Sequence, residues 1–210
     1  MSKNTFLLLL LACTGIYLAG GFMIPLMDID ASQYASISRE MLARNSFLQV
    51  FDLGKDYLDK PPMLFWLSAI SMKIFGVHDW AYRIPSLLFL GVALYATYKF
   101  AALFYSTQVA RLATIILAST QAFFLIAHDV RTDTMLVGWV MLSIYLLAKW
   151  SQDVADQTKG SAKYFFFAVI AIAGGMMTKG PIALVVPVLA IVPHWVSNKQ
   201  WQFFYKPIYI

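Results

Sequence analysis

One cysteine, Cys13, stands among 210 residues, so an intrachain disulfide is excluded and redox chemistry offers no handle. Charge is scarce too. Asp, Glu, Lys and Arg together make up 13% of the chain, about half the share of a soluble domain. There is no HExxH and no Cys/His cluster, and His78, His128 and His194 lie scattered. No metal signature therefore stands out. A GxGxxG or P-loop pattern is also missing, which argues against nucleotide use on this chain. No internal repeat or low-complexity linker divides the sequence, and residues 1–210 read as one membrane-embedded region.

What the chain has in abundance is apolar residues, 60% of the total, with a mean hydropathy of +0.67. Uncharged stretches recur at roughly the 20 residues needed to cross about 30 Å of hydrocarbon. They fall near residues 5–26, 84–105, 109–127, 134–150, 164–177 and 181–196. The expected fold is all-α: a polytopic transmembrane helical bundle of about six spans, with interfacial helices in the first outer loop. The N-terminal run resembles a signal peptide at Phe6–Leu11, but it continues past Cys13 through Tyr17, Phe22 and Leu26. A retained first helix fits that length better. The formal charge of +5 is then the charge of cytoplasmic loops meeting anionic lipid, and nucleic-acid binding is not expected.

Residues 61–76 form a seventh, shorter apolar stretch that contains Lys73. If it does not cross, and the N-terminus is cytoplasmic, the inner side holds Lys3, Lys99, Arg111, Lys149, Lys159, Lys163, Lys199 and Lys206. The outer side holds Arg39, Arg44, Lys55, Lys60, Lys73, Arg83, Arg131 and Lys179. If it crosses, only Lys3, Lys73, Arg83, Arg131 and Lys179 stay inside, 5 of the 16 Lys and Arg. The positive-inside rule favours the non-crossing arrangement. That arrangement brings the loop 27–60, the segment 128–133 and Lys179 to one membrane face.

Several groups on that face could do chemistry. Asp30 precedes apolar Tyr34, Ile37, Met41 and Leu42 at helical spacing, so it reads as the N-cap of an amphipathic interfacial helix. Asp28 could share either a capping or a chemical role. Lys60 precedes two prolines that hold it extended; it suits a lipid phosphate and equally an interfacial snorkelling lysine. The run His128-Asp129-Val130-Arg131-Thr132-Asp133 sets several ionisable groups at a membrane boundary, where they need water, partners or a cavity. Asp133 reads as a second helix cap. Thr178-Lys179-Gly180-Pro181 reads first as a turn and second as a phosphate contact.

In order and spacing these pieces resemble the polyprenyl- and dolichyl-phosphate-sugar glycosyltransferases of the C-type membrane fold. The matching residues are Asp30-x-x-x-Tyr34-Ala35 with Arg39-Glu40-Met41, Lys60-Pro61-Pro62, Phe75-Gly76 and Trp80-Ala81-x-Arg83-x-Pro85-Ser86, followed by Arg131-x-Asp133 and Lys179-Gly180-Pro181. The nearest branch includes the bacterial aminoarabinose transferase that modifies lipid A and relatives of the protein O-mannosyltransferases. Ala31 departs from the acidic residue that often follows the loop aspartate, and such enzymes are usually more than twice this length. A fragment, or a chain that needs a second chain for missing helices, is therefore expected.

The resemblance implies sugar transfer from a polyprenyl-phosphate donor to a lipid, glycan or protein acceptor. It places the reaction at the outer face of a membrane, expected to be the bacterial inner membrane. Asp30 is the first choice for general base and Asp133 the second. Lys60, Tyr34, Arg131 and Lys179 are expected to bind substrate. No cofactor is implied beyond a divalent metal in some relatives, with Asp59 as its potential ligand. The competing readings are a transporter or flippase-like subunit, which would place its ionisable groups in mid-helix, and a non-catalytic remnant.

Overall fold

The structure, a computed structural model, describes residues 1–26, 29–157, 161–201 and 203. Asp28, Lys159 and Lys206 lie outside the described residues. The chain is an integral membrane protein built from helices. In order these are α1 (Lys3–Met23), α2 (Ile29–Arg44), α3 (Met63–Phe75), α4 (Asp79–Phe104) and α5 (Thr107–Ala118). They continue with α6 (Gln121–His128), α7 (Thr132–Ala155), α8 (Ala162–Lys179) and α9 (Ile182–Ser197). Helices α1, α4, α7 and α8 are long and apolar enough to cross a membrane.

The stretch expected as one span over residues 109–127 is instead two helices, α5 and α6, bent by 54°. At the break the hydroxyls of Ser119 and Thr120 donate to the carbonyls of Ile116 and Leu117, at 3.1 and 2.9 Å. Such side chains compete with the helical backbone for its own acceptors. Helix α9 has 16 residues and carries Pro187 and Pro193, so it falls short of a full span.

Helix α3 has only 13 residues, roughly 20 Å at 1.5 Å per residue, and does not carry the chain across. The start of α4 consequently lies at the same end of the bundle as the end of α1. Arg83 near the start of α4 donates to the carbonyls of Gly21 and Ile24 at the end of α1. At the opposite end, Arg111 of α5 reaches the carbonyl of Met1, at 3.0 Å. The α3–α4 contact also repairs a defect. Pro85 lies inside α4 and has no N–H for the carbonyl of Ala81; that carbonyl accepts from Ser71 of α3 at 2.5 Å.

Helices α4, α7 and α8 form the packed centre. A Cβ on Gly138 of α7 would lie 2.8 Å from the backbone oxygen of Phe89 on α4, so only glycine permits that approach. Trp139 fills the space over Gly174 and Gly175 of α8 in the same way.

The loop after α2 holds a feature the apolar pattern does not announce, a small antiparallel hairpin of β1 (Phe51–Asp52) and β2 (Lys55–Asp56). Its turn residues Leu53 and Gly54 both have positive φ, 51° and 81°, as a tight two-residue hairpin turn requires. Glu40 of α2 anchors it, accepting from the Gly54 N–H at 3.0 Å while pairing with Arg44 at 2.8 Å. Arg44 in turn lies 4.6 Å over the Phe51 ring.

Candidate active site

Two of the capping expectations are corrected by the helix bounds. Helix α2 starts at Ile29, so Asp30 is its second residue rather than its cap. Helix α7 starts at Thr132 with Arg131 at the cap position, so Asp133 is again the second residue. Both carboxylates sit in a first turn, where the positive end of the helix dipole favours negative charge by about 0.3–1 kcal/mol. The side chains remain available for other partners.

Those partners converge from four helices. Arg131 Nη1 lies 3.7 Å from Asp30 Oδ2, and Arg131 Nε lies 2.5 Å from Asp129 Oδ2. Lys179, in the last turn of α8, donates to Asp133 Oδ1. The site thus joins the start of α2, the α6–α7 turn, the start of α7 and the end of α8. Asp30 is the most open of its members, with 49% of its side chain exposed against 35% for Asp133. Among the described residues no three His, Cys, Asp or Glu side chains come together closely enough to hold a metal ion.

Tyr34, one helical turn after Asp30, is buried with its ring edge-on to Phe65 at 5.6 Å. Burial raises its pKa, helped by the charges of Asp30, Asp133 and Asp59 and opposed by a hydrogen bond with Tyr57. The Tyr57 hydroxyl is raised further, again chiefly by burial. Both phenols stay protonated at neutral pH and can donate hydrogen bonds. Lys60 is half-buried and lines a neighbouring groove of ≈ 580 Å³ with Tyr57, Asp59, Pro61 and Pro62. Asp59 is exposed on that loop, and Tyr57 links the groove to Tyr34 through their hydrogen bond.

With that geometry in view, the chain matches the family described as dolichyl-phosphate-mannose-protein mannosyltransferase over residues 59–209. It belongs to that family. Its curated relatives include the undecaprenyl phosphate-alpha-4-amino-4-deoxy-L-arabinose arabinosyl transferase of Serratia proteamaculans (strain 568). That protein is 32% identical over 206 residues, which cover 93% of this chain and 36% of the relative. The protein of the same name from Yersinia pestis (strain Pestoides F) is 34% identical over 182 residues, 81% of this chain and 31% of the relative. The chain therefore spans about a third of the length of these relatives.

The fold agrees. The crystal structure of ArnT from Cupriavidus metallidurans bound to undecaprenyl phosphate superposes with a TM-score of 0.85, at 19% identity, over 97% of this chain and 38% of that one. Its apo state gives 0.84 over 96% of this chain. The chain thus shares the polytopic C-type fold of these glycosyltransferases.

Two residues of this mannosyltransferase-family member, Arg83 and Asp129, stood in motifs singled out in the sequence but received no site role of their own there. Arg83 looked like a loop charge but lies inside α4, 1% exposed, and also donates through Nε to the His128 carbonyl at 3.0 Å. Asp129 is largely buried; burial raises its pKa, with the charges of Asp30 and Asp133 adding and that of Arg83 opposing. The residue after it, Val130, is wholly buried in the left-handed region at φ 41°. A β-branched residue there is strained by roughly 1–3 kcal/mol. A single charge a few residues from a span end carries no sequence signal that separates burial from exposure.

Proposed function

We propose that this chain forms the donor-binding and acceptor-activating part of a glycosyltransferase that takes a sugar from a polyprenyl-phosphate carrier, on the outward face of a bacterial inner membrane. The observation that carries this reading is the convergence of Asp30, Arg131, Asp133 and Lys179 at one end of the bundle, in a chain of this family. The relatives are arabinosyl transferases that use undecaprenyl phosphate-linked sugar, which favours a pentosyl donor, and lipid A is the first acceptor to test.

In the proposed reaction an acceptor hydroxyl attacks the anomeric carbon and its proton passes to the Asp30 carboxylate. The bond from that carbon to the phosphate oxygen breaks, and polyprenyl phosphate leaves with the electron pair. One direct displacement inverts the anomeric configuration. Asp30 is preferred to Asp133 because Lys179 already occupies Asp133 Oδ1. Arg131, Lys179 and Lys60 are the cations that compensate charge gathering on the leaving phosphate. Ionisable groups gathered at helix ends suit an interfacial enzyme better than a transport path.

The test is transfer of aminoarabinose from its undecaprenyl-phosphate carrier to lipid A, read as the mass gain of lipid A. It is run with this chain alone and co-expressed with the C-terminal two-thirds of the Serratia relative. Lys60→Ala is expected to raise KM for the donor about 10-fold or more, with the unfolding midpoint unchanged. Lys60→Arg should recover only part, because a planar fork replaces a compact ammonium. Donor kinetics unchanged in Lys60→Ala would assign Lys60 to anchoring at the interface.

The outward orientation has its own check. In a Cys13→Ala background, single cysteines at positions 55 and 133 should both react with an impermeant thiol reagent applied to the periplasmic side. One at position 163 should not. Reaction of positions 55 and 133 from opposite sides would overturn the shared site.

A further inference from the structure

We propose that Asp129 is a positioning residue of this site, acting through Arg131; the inference rests on the transferase reading above. Arg131 is a long side chain at the cap position of α7, and its direction is set by the groups it meets. Asp129 supplies the aim. Its Oδ2 takes Arg131 Nε at 2.5 Å, and this leaves Nη1 facing Asp30 Oδ2 at 3.7 Å. One guanidinium is thereby shared between a half-buried carboxylate that holds it and a more open one that can take a proton.

Asp129 is itself held from both sides by two consecutive residues of α4. Arg83 Nε donates to the carbonyl of His128 at 3.0 Å, and the Tyr82 hydroxyl donates to the carbonyl of Val130 at 3.1 Å. Both α4 residues are essentially buried, at 1% and 0% exposure. The grip on its carbonyl holds Val130 in its left-handed conformation, which turns the chain between Asp129 and Arg131 so that the two side chains meet. Arg83 Nη2 and Asp129 Oδ1 are both buried and without a hydrogen-bond partner among the described residues. Their charges act on each other, so Arg83 steadies the Asp129 carboxylate without taking the oxygen that Arg131 needs. The Trp80-Ala81-x-Arg83 segment, which the proposed chemistry leaves without a task, thus acquires one.

Because the hydrogen-bonded partner of the Asp129 carboxylate is Arg131, its loss should be felt chiefly while Arg131 is present. The chain, in whichever of the two preparations above transfers sugar, is compared as wild type, Asp129→Asn, Asp129→Ala, Arg131→Ala and the Asp129→Ala/Arg131→Ala double variant. Asp129→Ala should lower kcat for sugar transfer about 10- to 100-fold, the usual result of a misplaced reacting group. Asp129→Asn keeps an acceptor for Nε and should retain more activity. The double variant should be no worse than Arg131→Ala, since the two residues act as one unit. Multiplied losses in the double variant, or an unchanged kcat in Asp129→Ala, would overturn the proposal.

A second measurement needs no activity. Modification of Arg131 by phenylglyoxal, followed by peptide mass mapping, should be several-fold faster in Asp129→Ala than in wild type, at equal unfolding midpoints. Equal rates in folded protein would also overturn the proposal. Absence of sugar transfer by the wild type, with Arg131 still protected by Asp129, would instead count against the transferase reading alone.

Discussion

Replacing Asp30 by Asn is expected to lower sugar-transfer turnover by about 10²–10⁴-fold, the usual worth of a general base, while undecaprenyl phosphate still binds. Asn keeps the size and hydrogen-bonding reach of Asp but cannot take the acceptor proton. The helix bounds sharpen the experiment. Were Asp30 the cap of α2, Ala there would cost about 0.5–2 kcal/mol and Asn almost nothing. As the second residue of α2 it contributes mainly through the helix dipole and Arg131, so Asn and Ala should both lower stability by about 1 kcal/mol or less. The two variants should therefore be nearly equal in unfolding midpoint and equally poor in turnover. Normal turnover in Asp30→Asn would pass the base assignment to Asp133, tested by Asp133→Asn with Lys179 intact.

Arg83→Leu is expected to give the largest loss of stability of any single substitution considered for this chain. The guanidinium donates to three backbone carbonyls, those of Gly21, Ile24 and His128, on two helices and beneath the site. Leucine strands all three. A buried acceptor left without a donor costs about 1–3 kcal/mol, so the sum is on the order of 3 kcal/mol or more. Arg83→Lys should fall between, because one ammonium cannot span the same fork of acceptors. The measurement is the unfolding midpoint in a fixed detergent, with the yield of folded protein alongside. A midpoint for Arg83→Leu equal to wild type would show that α1, α4 and α6 are held together without this residue.

Much of the fold could be read from local pattern. Apolar runs placed α1, α4, α7 and α8 within a few residues, and the spacing of Tyr34, Ile37 and Met41 announced α2. The misses have local causes too. Ser119 and Thr120 are uncharged and pass unnoticed within an apolar run, yet their hydroxyls bond back to the helix carbonyls at the break between α5 and α6. The hairpin at Phe51–Asp56 has strands of two residues each, too short for an alternating pattern. It exists because Glu40, Arg44 and Gln33 of α2 hold it. Both caps were misplaced because an acid suits the first turn of a helix as well as the cap.

Length, apolarity and charge scarcity are properties of short stretches, so the sequence by itself determined that this chain is a polytopic helical membrane protein. It also marked Asp30, Arg131, Asp133 and Lys179 as polar points at the ends of apolar runs. Whether those points meet depends on how many times the chain crosses between them. Tertiary structure decided that: α3 is too short to cross and packs on α2 and α4, so the polar helix ends share one end of the bundle. It alone separated the buried Arg83 and the half-buried Asp129 from the more open Asp30. Burial depends on which helices lie alongside a residue, and neighbours far apart in the chain leave no trace in the residues between them.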